Sequence, residues 1–106
     1  MAKFTNHTIE KNEFSVVVKI LSSHLVEEEV HDIKKDIFMY GNTTPLTIDF
    51  SSVRYIDSSG IAFILTVVQR FKKDNNSVFF SNLSQEIDSL FKDIGIYNAY
   101  KNVTKL

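Results

Sequence analysis

Residues 49–61 join a short apolar run to a helix-like repeat and read Asp49-Phe50-Ser51-Ser52-Val53-Arg54-Tyr55-Ile56-Asp57-Ser58-Ser59-Gly60-Ile61. The hydroxyls of Ser58 and Ser59 therefore fall in the first turn of a helix, where backbone N–H groups have no partner within the helix. A helix that starts directly after a strand begins at the edge of the sheet where ligands usually meet α/β folds. The segment thus predicts exposed hydroxyls at a binding edge, and plain N-capping by these residues is the alternative.

The chain begins with a pattern typical of a β-hairpin. Two β-rich runs, Phe4 to Ile9 and Phe14 to Leu21, flank the polar residues 10–13, which predict the turn. Within the second run, Val16, Val17 and Val18 are continuous rather than alternating with polar residues. We therefore expect this strand to be buried on both faces.

Three later stretches have the spacing of amphipathic helices. They are residues 22–40, with Ser22 or Ser23 as the cap, residues 58–73, with Ile61, Ile64, Leu65, Val68 and Phe71 as the core stripe, and a helix between Ser84 as cap and Gly95 as stop. Two short strands, at residues 46–50 and 77–81, separate the helices. Tyr97 to Leu106 fits either a short strand or half a helix.

The resulting order, β-β-α-β-α-β-α, is typical of an α/β fold. Because a helix-long connection between two strands suits a parallel pair, we expect a mixed sheet of four to five strands packed with helices. Few Gly and Pro residues, three and one, and no linker-like tract interrupt the pattern. We therefore predict a single domain over residues 1–106.

Composition excludes several functions. The chain has 12 basic and 13 acidic residues, a formal net charge of −1, and no Cys. It has no basic field for nucleic acid and cannot form disulfides. Its sequence also lacks a run of the roughly 18 apolar residues that a membrane span requires. We expect a cytoplasmic protein that binds no nucleic acid and does not insert directly into a membrane.

Two parts of the chain resemble one known family. The first comprises Asp49-Phe50-Ser51, Val53 and Tyr55-Ile56-Asp57-Ser58-Ser59-Gly60-Ile61. It closely resembles the signature of STAS domains, the family of the bacterial anti-sigma factor antagonists. The second part comprises Leu83-Ser84, Leu90-Phe91 and Ile94-Gly95-Ile96, and is similar to the C-terminal pattern of the same family. The resemblance implies a STAS-type fold over nearly the whole chain.

The resemblance also implies partner switching. In the family, the serine directly after the Asp is phosphorylated by a partner that is both a serine kinase and an anti-sigma factor. That serine is Ser58 here, and Ser59 is the second choice. The unphosphorylated antagonist captures the anti-sigma factor, phosphorylation releases it, and a PP2C-type phosphatase resets the cycle. The chain would then be a ligand and a substrate rather than an enzyme, and it would need no cofactor.

A partner-binding surface is expected around the phosphorylation site. It includes Asp57, Ser58, Ser59 and Gly60 of the signature, together with the preceding Arg54, which could hold a partner acid or simply be solvated. Phe63 and Val67 lie off the core stripe and share a helix face by their spacing. They either add an apolar patch beside Ser58 or are buried under a neighbouring helix.

Rival functions can be weighed from the same residues. A nucleophilic serine needs a base, and His7, His24 and His31 all lie upstream in other elements. His24 and His31 are also too far apart along a helix to suggest a metal site.

A stronger rival is a non-switching STAS binding module, either a signalling scaffold or the soluble accessory subunit of a membrane lipid transporter. Many family members carry a Gly and an Asp soon after the second strand, on the partner-facing end of the fold. This chain has Ile20-Leu21-Ser22-Ser23-His24-Leu25 instead. The departure favours the scaffold, whereas the retained Asp57, Ser58 and Ser59 favour the switch.

Overall fold

Eleven helices and strands form within residues 6–41 and 44–106, the part of the chain described by the structure, which is a computed structural model. In chain order they are β1 (His7–Lys11), β2 (Val16–Ile20), β3 (His24–Leu25), α1 (Glu27–Tyr40), β4 (Leu46–Asp49), β5 (Tyr55–Ile56), α2 (Ser58–Lys73), β6 (Val78–Ser81), α3 (Gln85–Asp93), α4 (Ile96–Ala99) and β7 (Val103–Lys105). Five strands form one mixed sheet in the order β1-β2-β4-β6-β7, and β3 pairs with β5 in a separate two-stranded sheet. Strand β1 is antiparallel to β2, and the other pairs are parallel.

The helices cover one face of the large sheet. Register places Val18, Ile48 and Phe80 side by side on that face, and all three are fully buried. Helix α1 reaches the face through the contact between His7 and Asp36, and α3 reaches it through Phe91, whose ring lies 5.2 Å from that of Phe80. Burial of such large apolar side chains is the main stabilising contribution to a fold of this size.

The opposite face of the sheet is partly open. Val17, Thr47 and Phe79 are register neighbours on this face, and each is only half-buried. The prediction that the strand containing Val16 to Val18 is buried on both faces is therefore wrong, because no described helix packs on the side of Val17.

The hairpin is displaced from its predicted position. Strand β1 continues to Lys11, and the turn begins at Asn12, whose side-chain Oδ1 accepts hydrogen bonds from the backbone N–H groups of Phe14 and Ser15 at 2.8 and 2.9 Å. This Asx turn reverses the chain two residues later than the polar run alone indicates. The predicted start of the strand at Phe4 lies outside the described residues.

Helix α1 starts five residues later than predicted, at Glu27. Its N-cap is Val26, which makes no side-chain capping hydrogen bond, so neither Ser22 nor Ser23 is the cap. The Ser22 hydroxyl instead donates to Glu29 Oε2 at 3.0 Å. Residues 24–25 are extended because they form the short strand β3. The sequence did not predict this strand, because the same residues fit the helical spacing of residues 22–40.

The last third of the chain follows the prediction more closely. Ser84 caps α3 by accepting a hydrogen bond from the Ile87 N–H at 3.2 Å. Gly95 has the predicted left-handed backbone, with φ of 76°. The final residues contain both of the alternatives, since the short helix α4 is followed by strand β7. Within residues 6–41 and 44–106, no helix has both the length and the apolar character needed to cross a bilayer.

Candidate functional site

Asp57 shapes the start of helix α2. It is the N-cap residue, with an extended backbone, and its Oδ1 accepts a hydrogen bond from the Gly60 N–H at 3.0 Å. The Asp57 carbonyl accepts from the Ile61 N–H at 3.0 Å, which closes the first helical turn. The signature Asp therefore has a defined structural role, because a capping carboxylate satisfies a backbone donor that the helix itself cannot.

Ser58 and Ser59 are the first two residues of the helix. The Ser58 side chain is exposed and that of Ser59 is half-buried. By helix geometry, the backbone N–H groups of these two residues have no acceptor one turn earlier. Since the helix dipole also favours negative charge at this end, an anion attached to Ser58 would be tolerated by the fold.

The two-stranded sheet of β3 and β5 holds this helix start in place. The carbonyl of Ser23 accepts hydrogen bonds from the N–H groups of Arg54 and Tyr55 at 2.7 and 3.1 Å. The carbonyl of Leu25 accepts from the Asp57 N–H at 3.3 Å. Residues that are some thirty positions apart in sequence are thus joined by backbone hydrogen bonds, and the cap residue itself is one of the donors.

Gly60 is required by the close approach of this small sheet. A Cβ atom at Gly60 would meet the backbone carbonyl oxygen of Leu25, and it would lie 2.7 Å from Cγ2 of Ile56. The sequence had suggested that Gly60 faces a partner. Gly60 is instead buried, so it supports the site from inside the domain. Only a residue without a side chain allows β3 to pack against the first turn of α2.

Asp49 fixes the other end of the signature segment. Its Oδ1 accepts hydrogen bonds from the Ser51 N–H at 2.8 Å and from Asn82 Nδ2 at 3.2 Å. Burial on its own would raise the pKa of Asp49, but these hydrogen bonds and the positive charge of Lys19 outweigh it and lower the pKa. Asp49 therefore anchors the loop between β4 and β5 as a carboxylate.

The surface next to Ser58 carries aromatic and basic groups. The Tyr55 side chain is 52% exposed, and its ring lies 5.6 Å from that of the exposed His24. Arg54 is exposed, and its Nη1 makes one long contact, of 3.5 Å, with the carbonyl of Ser51. The guanidinium can therefore also meet an acidic group from outside the domain.

The predicted apolar patch on helix α2 is absent. Phe63 and Val67 are 3% and 0% exposed, so they belong to the core, which corrects their assignment to the partner surface. The buried face of α2 consists of Gly60, Phe63, Ile64, Val67, Val68 and Phe71. Ile61 and Leu65, which the sequence placed in the core stripe, are only partly buried. The buried face of α2 is thus rotated, relative to the predicted stripe, toward Gly60, Phe63 and Val67.

The family resemblance places residues 20–25 at the partner-facing end of the fold, but the sequence did not predict that residues 24–25 form a strand there. Ser23 bonds to Arg54 and Tyr55, Leu25 bonds to the α2 cap residue Asp57, and His24 lies beside Tyr55. The apolar alternation in His24-Leu25 and Tyr55-Ile56 is consistent with short strands, but two residues are too few for a periodic signal.

Among the described residues, no histidine is hydrogen-bonded to the hydroxyl of Ser58 or Ser59, as an activated serine nucleophile would require. Residues 6–41 and 44–106 also hold no group of three His, Asp or Glu side chains that could ligate a metal ion. The site is an exposed hydroxyl on a rigid helix start.

The architecture and the signature segment identify a family. A family model described as the STAS domain matches residues 7–104, and the chain belongs to the STAS domain family. The predicted STAS-type fold is thereby confirmed. No curated protein matches the chain in sequence.

Several solved structures share this fold. An anti-sigma-factor antagonist (STAS) domain protein from Planctomyces limnophilus superposes with a TM-score of 0.81 at 15% identity, covering 98% of this chain and 91% of that chain. The Bacillus cell fate determinant SpoIIAA in its phosphorylated form gives a TM-score of 0.72 at 16% identity, covering 94% and 90%. The murine anion transporter Slc26a9 gives 0.71 at 16% identity, with 89% of this chain matching 16% of the transporter. At these identities the similarity shows the fold.

Proposed function

We propose that this chain is an anti-sigma factor antagonist that acts by partner switching. In its unphosphorylated form it binds a serine-kinase anti-sigma factor, phosphorylation at Ser58 releases that partner, and a PP2C-type phosphatase restores the binding form. The chain itself catalyses no reaction and works in the cytoplasm. The single observation that carries the proposal is the exposed Ser58 hydroxyl, which directly follows the capping Asp57 at the start of α2.

Two further findings support this function. The chain belongs to the STAS family, and one of its structural neighbours is the anti-sigma factor antagonist SpoIIAA in its unphosphorylated form, with a TM-score of 0.69 at 20% identity and 81% coverage of both chains. SpoIIAA is also known in a phosphorylated form, to which this fold is similar over 94% of the chain. A fold that accommodates both forms in SpoIIAA is compatible with a phosphorylation switch here.

Electrostatics explain how a phosphate at Ser58 would act. It adds about −1.5 to −2 charges at pH 7 beside the Asp57 carboxylate, which already occupies the Gly60 N–H. The helix dipole favours that charge, so the domain stays folded. A docked partner must desolvate the dianion, and a penalty of about 1.4 kcal/mol already weakens affinity tenfold. The switch therefore works at the contact surface.

Intact-mass measurement tests whether the modification occurs. The protein is isolated from its native cells as wild type, Ser58→Ala and the adjacent Ser59→Ala as matched control. We expect one phosphate-sized addition in the wild type and in the Ser59 variant, and none in the Ser58 variant. Absence of the addition under all growth conditions would refute the switch, and its loss only in Ser59→Ala would move the site by one residue.

A binding experiment tests the consequence of the charge. Tagged Ser58→Ala and Ser58→Asp chains are used to recover partners from native cells, which are then identified by mass spectrometry. We expect Ser58→Ala to retain a kinase-type anti-sigma factor and Ser58→Asp to lose it. Equal recovery of that protein by both variants would contradict the charge mechanism.

The second candidate is a non-switching STAS module, either a signalling scaffold or a soluble accessory subunit of a membrane lipid transporter. The observation that favours it is the Ser22 to Leu25 segment, which pairs with Tyr55 and Ile56 just before the α2 cap but lacks the Gly and Asp common in the family. Recovery of transporter subunits by Ser58→Ala and Ser58→Asp alike would support this candidate over the switch.

A further inference from the structure

Strand β1 forms an open edge of the large sheet. The Leu21 N–H donates to the Asn6 carbonyl at 2.8 Å, and the Asn12 N–H donates to the Ser15 carbonyl at 3.0 Å. In an antiparallel pair, hydrogen-bonded residues alternate with residues whose backbone groups point away from the neighbour. Residues Asn6, Thr8, Glu10 and Asn12 therefore bond to β2 or the turn, and His7, Ile9 and Lys11 direct their N–H and C=O groups outward.

The outward groups are unpartnered within the part of the chain that the structure describes. No hydrogen bond to the backbone of His7, Ile9 or Lys11 is formed from another described element. The strand is regular over five consecutive pairs with β2, without a bulge or a proline to disrupt its edge. Such an edge is a template for pairing with another strand, and proteins usually obstruct it.

The charge pattern of β1 suits a second copy of the same strand. If two β1 strands pair antiparallel about Ile9, then Thr8 lies opposite Glu10, and all three outward-facing residues of each copy form hydrogen bonds. Pairing about Glu10 would instead place two like charges directly opposite each other, which is destabilising. Pairing about Thr8 would, within the described residues, use only His7 and Ile9 of the three outward-facing residues. Self-pairing about Ile9 is therefore the favoured register.

A second charge contact selects the same register. Pairing about Ile9 brings Lys11 of the second copy opposite His7, on the helix-covered face of the sheet. His7 Nε2 lies 2.7 Å from Asp36 Oδ2, and the Asp36 side chain remains 42% exposed. Lys11 of the second copy can therefore approach the Asp36 carboxylate, and the two-fold symmetry makes this contact twice.

We infer that the chain forms a two-fold symmetric dimer by antiparallel pairing of its β1 strands about Ile9. The two five-stranded sheets then become one ten-stranded sheet, within the size range of open sheets. The axis is perpendicular to the sheet, so the two Ser58 sites point in opposite directions and both stay exposed. This inference is independent of the proposed function, since it concerns a different edge of the fold.

Disulfide trapping tests the register. Because the chain contains no Cys, only the introduced cysteines can form a disulfide. Thr8 and Glu10 are exposed, and cross-strand residues of this type have Cα atoms about 4.5 Å apart, within disulfide range. Under mild oxidation we expect Thr8→Cys/Glu10→Cys to give a reducible species of twice the 12.2 kDa chain mass. Each single variant should remain monomeric on denaturing gels, because like positions lie roughly 8 Å apart in this register.

Sedimentation of the unmodified protein supplies the second measurement. We expect the mass to rise from 12.2 kDa toward twice that value with concentration. Lys11→Glu should raise the dimer dissociation constant about tenfold, since the change acts twice per dimer. Lys101→Glu, an equal charge change before the opposite edge strand β7, should not. A monomer at every concentration without trapping in the double variant, or trapping in a single variant alone, would overturn the inference.

Discussion

Replacing Gly60 with Ala tests whether the small sheet of β3 and β5 sets the position of helix α2. The added Cβ would overlap the backbone carbonyl oxygen of Leu25 and lie 2.7 Å from Ile56 Cγ2. Leu25 is fully buried and Ile56 is 6% exposed, so neither can move without repacking the core. Overpacking of this kind costs about 1–3 kcal/mol, and a backbone obstacle places the cost near the upper end.

The higher helix propensity of Ala stabilises the variant, so it must be subtracted from the cost of the overlap. Ala is favoured over Gly in a helix by up to about 1 kcal/mol. We therefore expect a net loss of about 1–2 kcal/mol in the free energy of unfolding, equivalent to a melting temperature lower by about 4 °C or more for a domain of this size. Urea unfolding followed by circular dichroism measures the free energy, and thermal melts measure the temperature.

A matched control separates the two contributions. Ala62 is exposed on the same helix, so Ala62→Gly reports the propensity difference without a clash. We expect Ala62→Gly to cost about 1 kcal/mol. If Gly60→Ala proves as stable as the wild type, or more stable, then α2 does not depend on the close approach of β3, and the account of the site is refuted.

Substitutions at three further positions probe other contacts. Asp57→Ala should lower the free energy of unfolding by about 1 kcal/mol through loss of the cap, whereas Asp57→Asn should retain most of it; equal effects of both on denaturant midpoints would contradict the capping role. Phe91→Ala should cost about 3–5 kcal/mol because it empties the contact with Phe80, and a change below about 1 kcal/mol would be inconsistent with that packing. Burial tends to raise the pKa of Asp88, but hydrogen bonds from Lys105 and Tyr97 outweigh it and lower the pKa below 3.8. Because the pKa is lower in the folded state, the ionised Asp88 stabilises the fold above its unfolded pKa, and this stabilisation is lost as pH falls through its folded pKa. Asp88→Asn should therefore lower the free energy of unfolding by about 1–2 kcal/mol at neutral pH and by progressively less below pH 4, as measured by urea unfolding across pH. An equal loss at pH 3 would refute this linkage.

The sequence predicts most of the fold because the core elements carry strong periodic signals. Helix α2 begins at Ser58 and ends at Lys73 as predicted, and α3 has its predicted cap at Ser84. Where the prediction was wrong, a local contact outweighed the pattern. The Asx turn at Asn12 extended β1, and pairing with β5 kept residues 24–25 out of helix α1.

The candidate site is predicted in part. The positions of Asp57 and Ser58 follow from capping preferences and from the family signature, both of which depend on residues adjacent in sequence. The surroundings depend on contacts between distant segments, so the exposure of Tyr55 and the burial of Phe63 could not be derived. Hydrophobic spacing defines a helix stripe only to within one residue on either side, which is enough to exchange a core position for a surface one.

The hydrogen bonds from the N–H groups of Arg54, Tyr55 and Asp57 to the Ser23 and Leu25 carbonyls have a kinetic consequence. They order the backbone around Ser58 in the free domain, so a partner that binds there, as proposed above, would lose little conformational entropy. Complexes made by such preformed surfaces differ mainly in lifetime, whereas their rates of formation vary little among variants. Substitutions around Ser58 should therefore shorten the residence time of such a partner rather than slow its association.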